Sequence, residues 1–178
     1  MEEHVNRANY LTYLQGKGIL FLTYIVHIDS PQSMLENGIL SRNKAIARGL
    51  YNQDRDISRN YYQERRERFF RAKAGGDIHD YVPVYFGTKT PMAYVVCRDN
   101  GKENTGFLNL DLDLLLTEGM RFSDKNIASQ YCNIYADITH LNQLDWETMA
   151  QWNLKMREYD LGIAILIARK LYGIVFRY

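Results

Sequence analysis

Cysteine is almost missing from this chain. There are two, Cys97 and Cys132, far apart and with no histidine or second cysteine near either at metal-ligand spacing. That excludes a disulfide framework and a zinc site, and it fits buried thiols in a reducing compartment. Three prolines and twelve glycines in 178 residues exclude a collagen-like or low-complexity chain. No apolar run is long enough to span a bilayer, and the opening Met1-Glu2-Glu3-His4 is unlike a secretory signal. We therefore expect a cytoplasmic protein with no membrane contact. A Walker loop, a nucleophile elbow, a zinc pattern and the Gly-x-Gly-x-x-Gly fingerprint are all missing. A dinucleotide, if one is used, is not held in a Rossmann crevice.

What is present suits one globular domain over residues 1–178. Apolar residues make up 46% and charged residues 24%, enough for a real core. The 14 tyrosines suit core edges and can also stack on bases or a cofactor. The net charge of +1 hides an asymmetry: residues 42 to 73 carry ten Lys/Arg against four Asp/Glu, and the remainder is acidic. Such a segment is either a solvated helix face or the footprint of a polyanionic partner.

Element signals alternate along the chain. Ile19 to Ile28 is rich in β-branched and aromatic residues and predicts a strand. Asp29-Ser30-Pro31 starts a helix that stops at Asn37-Gly38. Residues 39 to 57 read as irregular. Ser58 caps a helix over Arg59 to Lys73 that carries Arg59, Tyr62, Arg66, Phe69 or Phe70, and Lys73 on one face. Tyr81 to Phe86 reads as a strand, with Pro83 favouring an edge or bulge. A short helix from Thr90-Pro91-Met92 to about Val96 precedes a charged turn, Arg98 to Gly106. Phe107 to Leu110 is a strand, Asp111 to Thr117 a helix closed by Gly119, and Arg121 to Ser123 a short strand. A long connection with Tyr131 and Tyr135 covers 124 to 140, and Asp145-Trp146-Glu147 opens a helical region. Ile163 to Ala168 and Tyr172 to Phe176 read as two closing strands. The pattern is α+β.

Several of these segments resemble the DarT family of DNA-base ADP-ribosyltransferases. Tyr24-Ile25-Val26-His27-Ile28-Asp29, then Met34-Leu35 and Gly38-Ile39-Leu40, is similar to that family's opening strand and helix. Gln63-Glu64-Arg65-Arg66 resembles its helix with a functional arginine. The most specific match is Ile78-His79-Asp80-Tyr81-Val82-Pro83-Val84-Tyr85-Phe86 followed by Thr90-Pro91-Met92-Ala93-Tyr94; Leu144-Asp145-Trp146 also fits. The resemblance covers roughly residues 22 to 175. It implies an ADP-ribosyltransferase-like split β-sheet core with flanking helices. It also implies NAD as co-substrate without a metal, and a base of single-stranded DNA as acceptor, thymidine first and guanosine in a divergent branch. The family's setting is a toxin–antitoxin pair whose antitoxin removes the ADP-ribose. We expect a monomer. A non-catalytic nucleic-acid-binding module on the same fold, or transfer to RNA or protein, are the competing readings.

The resemblance also implies roles. Arg66 matches the functional arginine and would hold a phosphate or the acceptor base, while Arg65, Arg68 and Arg71 read as solvent-facing. Tyr24 and Val26 occupy positions where the family often has His and Thr, and period-two alternation puts them on one side of the strand. His27 points the other way and reads as structural. Tyr85 and Met92 match positions that shape the nicotinamide pocket, and Asn43 is counted with the cofactor-binding set. His79, Asp80, Tyr81, Lys125 and Asn126 are the candidate DNA-contacting residues, Asn126 standing where the thymidine-directed branch tends to carry His.

One expected group is missing. The family's catalytic Glu falls at Ala164, inside Gly162-Ile163-Ala164-Ile165-Leu166-Ile167. Either the alanine is an inactivating substitution, or the alignment slips and Glu158 or Asp160 serves; a third reading makes Ala164 ordinary strand core.

Overall fold

The computed structural model describes residues 5–57, 60–87, 90–152 and 165–168. The N-terminal helix α1 (Tyr10–Gly16) buries Tyr10, Tyr13 and Leu14. The first strand β1 (Leu22–His27) starts later than the sequence suggests, because Leu20 is 68% exposed. Pro31 at the first helical turn opens α2 (Pro31–Asn37), and Gly38 ends it at φ 78°, a conformation that favours glycine.

The segment expected to be irregular contains helix α3 (Arg42–Ala47) and a 3-10 turn over Gln53–Arg55. Six residues are too few to show a helical period, so only the cap, Ser41, could have announced α3. Its side chain accepts from the Lys44 N–H. Helix α4 (Asn60–Ala74) follows; the expected start, Ser58 and Arg59, lies outside the described residues. Its inward aromatic is Phe70, fully buried and edge-on to Tyr81 at 5.1 Å. Phe69 instead lies under the guanidinium of Arg68.

Strand β2 (Tyr81–Val84) holds Pro83. Helix α5 (Pro91–Asn100) is capped by Thr90 and runs past Val96 until Gly101 at φ 85° stops it. Strand β3 (Thr105–Leu110) therefore begins inside the stretch read as a turn. Residues Leu112–Leu116 wind as a 3-10 helix rather than an α-helix, with Asp111 capping. Strand β4 (Arg121–Ser123) is as expected. The long connection contains β5 (Ile134–Tyr135) and leads into a 3-10 turn, Ile138–Gln143. Helix α6 (Trp146–Trp152) and strand β6 (Ile165–Ala168) complete the elements. The proposed strand Tyr172 to Phe176 lies outside the described residues.

The strands form two sheets. One is the antiparallel pair β1–β3, with Leu22 opposite Leu110 and His27 opposite Thr105. The other has the order β2-β6-β4-β5, which places Pro83 on an edge as its missing N–H requires. Among the described residues a single bridge joins them. Thr23 N–H donates to the Tyr85 carbonyl at 2.7 Å and Tyr85 N–H to the Thr23 carbonyl at 2.8 Å. The split sheet and flanking helices are the α+β architecture expected.

The main core lies between the sheets, α1 and α6: Leu14, Leu22, Val26, Val82, Val84, Phe86, Leu110, Phe122 and Leu141 meet there. Trp146 closes it, edge-on to Tyr13 at 6.1 Å and to Phe86 at 5.3 Å, its indole N–H on the Leu141 carbonyl at 2.8 Å. A smaller cluster joins Ile25 and Tyr85 to Ala93 and Val96 of α5.

Thr23 is fully buried, and among the described residues its hydroxyl oxygen has no hydrogen-bond partner. An unpaired buried hydroxyl costs about 1–3 kcal/mol. Thr23→Val keeps the shape and the β-branched preference. We expect it to stabilise by about 1 kcal/mol, a rise in Tm of about 2–4 °C for a chain this long. A fall in Tm in a thermal melt would show that the hydroxyl is satisfied.

Candidate functional site

Where the two sheets part, α2, α3, α4 and α5 leave a cleft of about 300 Å³. Its floor is β1, which contributes Tyr24 to His27, together with Tyr81 and Pro83 of β2 and Tyr85 just after it. The bridge between Thr23 and Tyr85 fixes this floor.

One wall is apolar. Tyr85 and Met92 pack with Ile25 and Val96, a surface suited to a flat aromatic ring. Burial pushes the Tyr85 phenol above its ordinary value, and the nearby positive charge of Arg66 partly offsets the shift. Tyr24 is pushed up to about 12, by burial first and then by Asp56 and Tyr85. Both phenols therefore stay neutral at working pH, available as hydrogen-bonding groups.

The other wall is basic. Arg42, Arg55 and Arg66 all line the cleft. Arg42 is committed: it donates to Gln63 Oε1 at 3.0 Å, lies 3.9 Å from Asp56 Oδ2 and covers the Tyr51 ring at 5.2 Å. Tyr51 in turn donates to Asp56 at 2.7 Å, so the Leu50–Ile57 segment is tied down through one carboxylate. Arg55 donates to the Asp29 carbonyl at 3.2 Å. Arg66 differs. It is half-buried, faces Tyr85, and among the described residues makes no hydrogen bond or ion pair. A guanidinium with five donors left uncommitted in a cleft is a ready anion or carbonyl site.

Another part of the lining is His79, Tyr81, Asn126 and Ile127, where Ile127 packs with Phe70 beside Ile78 and Tyr81. Asp77 shapes this part. It caps the 3-10 turn Ile78–Asp80 by accepting from the His79 N–H at 2.9 Å. The His79 ring Nε2 lies 2.7 Å from Glu67 Oε1 of α4. Asn126 accepts from the Ala128 N–H at 2.9 Å. Lys73 donates to the Gln130 carbonyl at 2.7 Å and to the Cys132 carbonyl, which clamps α4 to this loop.

Among the predicted residues, the structure brings Tyr24, Val26, Arg66, Tyr85, Met92, His79, Tyr81 and Asn126 to one cleft. Asn43 is not in its lining. One position round α3 from Arg42, its amide turns to Asp77 at 3.1 Å and Asp80 at 2.8 Å. Asp80 is exposed and holds Asn43; Lys125 also lies outside the lining, where its carbonyl accepts from Ser123. His27, expected to face away, lines the cleft, because it ends β1 where the chain turns and its Nδ1 accepts from the Asp29 N–H at 3.3 Å. Arg65, Arg68 and Arg71 are exposed as expected. Ala164, Glu158 and Asp160 lie outside the described residues. Sequence reasoning missed Arg42, Tyr51, Arg55 and Asp56; the basic composition of residues 42–73 pointed to the region without selecting them. No group of three potential metal ligands occurs among the described residues, and no helix among them is long and apolar enough to cross a membrane.

Comparison with known proteins adds the following. The family model described as "ssDNA thymidine ADP-ribosyltransferase, DarT" matches residues 23–162. A protein of Thermus sp. (strain 2.9) named DNA ADP-ribosyl transferase is 30% identical over 138 residues, which is 71% of this chain and 62% of that protein. This chain thus spans less than two thirds of the length of that relative. The structure of Thermus sp. 2.9 DarT in complex with ADP-ribosylated ssDNA superposes with a TM-score of 0.66 at 26% identity, covering 85% of this chain and 76% of that one. The same Thermus protein in complex with NAD+ gives a TM-score of 0.60 at 24% identity, over the same shares.

The capping carboxylate gives a pH test of the turn that carries His79. The His79 N–H first of all, then Asn43, holds Asp77 below its usual value. A carboxylate depressed in the folded state adds stability above about pH 4, and this is lost as pH falls through the folded value. We expect Tm to decline below about pH 4, with Asp77→Asn showing a smaller decline over that window and a lower Tm at pH 7. Parallel Tm–pH curves for the two proteins would remove Asp77 from the account.

Proposed function

The chain belongs to the DarT family, and on that premise we propose that it transfers ADP-ribose from NAD to a base of single-stranded DNA. The observation that carries this reading is the uncommitted Arg66 guanidinium facing an apolar Tyr85–Met92 wall across one cleft. The residues fit the co-substrate. The apolar wall suits nicotinamide, the Tyr24 hydroxyl can bond a ribose hydroxyl where the family often uses His, and Arg66 can bind a phosphate or the acceptor. Val26, by contrast, cannot hydrogen-bond through its side chain. The relative in Thermus sp. has been seen with NAD+ and with ADP-ribosylated ssDNA, which supports both substrates.

The reaction needs NAD bent so that nicotinamide can depart, an anion near the positive charge that develops on the ribose, and a group to take the acceptor's proton. The acceptor's reactive edge is hidden in duplex, so an unpaired or flipped base is the substrate. His79, Tyr81 and Asn126, which also line the cleft, are the contacts we assign to it. Thymidine is the first choice and guanosine the second, since an Asn amide at 126 both donates and accepts. Family membership also supports a toxin role, with an antitoxin that removes the modification.

A second reading has its own support. Asp56 is the one carboxylate lining the cleft among the described residues, and Tyr51 and Arg42 hold it. Position 164, where the family carries Glu, is alanine. The chain as written is then a nearly inert binding protein on a transferase fold.

Single-stranded oligonucleotides holding one T or one G in an A/C background, labelled with NAD, test these readings. We expect Ala164→Glu to raise transfer about 10²–10³-fold, the effect of one aimed charge in a water-poor site. Equal labelling by the parent and Ala164→Glu proteins would sink the assignment of position 164. In the active background, Arg66→Ala should lower transfer by at least about 10²-fold. Duplex should be labelled far less than single strand, and T more than G.

A further inference from the structure

We infer that His79, oriented by Glu67, is the proton acceptor for the DNA base in this cleft. The inference rests on the transferase reading above and deepens it.

An ionised carboxylate only accepts hydrogen bonds. The 2.7 Å contact of His79 Nε2 with Glu67 Oε1 therefore places a proton on Nε2. In the neutral ring Nδ1 then carries the free lone pair. Two anchors hold the ring. Glu67 grips its far nitrogen from α4, and Asp77 fixes its backbone by capping the turn at 2.9 Å. Such a carboxylate–imidazole pair keeps one tautomer and stabilises the imidazolium that forms on proton uptake.

Placement makes the pair relevant. His79 lines the cleft, as do Tyr81 and Asn126. Glu67 follows Arg66 directly on α4, so the helix that presents the guanidinium also orients the imidazole. Other charged groups nearby are Asp77, electrostatically coupled to His79, and Arg71, which acts on Asp77. From α3 comes the neutral Asn43, bonded to Asp77 and Asp80.

A ring N–H of the base gives its proton to His79 Nδ1. The nitrogen's electron pair forms the bond to the ribose anomeric carbon of NAD. The bond from that carbon to nicotinamide breaks, and its electrons neutralise the pyridinium nitrogen, so nicotinamide leaves uncharged. His79 then returns the proton to water.

The test uses the full chain carrying Ala164→Glu, with NAD and a single-stranded oligonucleotide. His79→Gln retains an amide N–H that can still reach Glu67, so it separates shape from proton transfer. We expect its transfer rate to fall about 10²–10⁴-fold, the usual worth of general base catalysis, with the oligonucleotide KM changed far less than kcat. His79→Ala should fall as far, and free imidazole in the buffer should restore part of its rate in proportion to concentration. Glu67→Gln should fall less, by about 10-fold. Transfer by His79→Gln at the parental rate would overturn the assignment and leave the transferase reading standing. So would loss in His79→Ala that imidazole cannot rescue and that comes with a lowered Tm. No transfer by the Ala164→Glu protein itself, on any oligonucleotide, would remove the transferase reading and this inference together.

Discussion

Two backbone hydrogen bonds between Thr23 and Tyr85 hold the halves of this protein in register. Beyond them the β1–β3 pair and the β2-β6-β4-β5 sheet diverge, and the space between becomes the cleft. The bridge is short because the sheets must part; a longer ladder would fill the cleft with backbone. What it lacks in length is supplied by packing on both sides. Val26 and Leu22 enter the core with Val82 and Val84, and Ile25 and Tyr85 enter the cluster under α5. The same tyrosine thus serves as joint, core residue and cleft wall.

Charge is distributed by the same geometry. Of the three arginines that line the cleft, two are absorbed in holding the chain: Arg42 through Gln63 and Asp56, Arg55 through the Asp29 carbonyl. Among the described residues, Arg66 is the one of the three that makes no hydrogen bond or ion pair. Screening matters less in a partly enclosed cleft than on the open surface, so a charge at Arg66 is screened less than one at the exposed Arg65, Arg68 or Arg71.

The strands and the longer helices were legible because their signals are local. A β-branched and aromatic run marked β1, a proline marked the start of α2 and α5, and Gly38 marked the end of α2, whereas α5 was expected to stop at about Val96 and runs on to Asn100. Helical spacing put Arg66 and either Phe69 or Phe70 on one face of α4, and likeness to a family singled out Arg66, Tyr85 and Met92. What stayed hidden was short or non-local. Helix α3 has six residues and one cap, less than the two turns a period requires. Asn43 belonged to the right helix but the wrong side of it. The Tyr51–Asp56–Arg42 group depends on a helix and a loop meeting, and the partner of His79 lies twelve residues back on α4; no spacing rule announces either.

The Lys73 clamp has a consequence for how this protein can change. Its ammonium gathers the carbonyls of Gln130 and Cys132, and burial keeps the Cys132 thiol beside it protonated. Lys73 sits two turns from Arg66 on a helix that moves as a rod. The loop that carries Asn126 is therefore not an independent module grafted beside the arginine. Its backbone at residues 130 and 132 is bonded to the same helix. The loop and the helix that carries the arginine are thus tied through a single ammonium, and a change at residues 130–132 is felt at both.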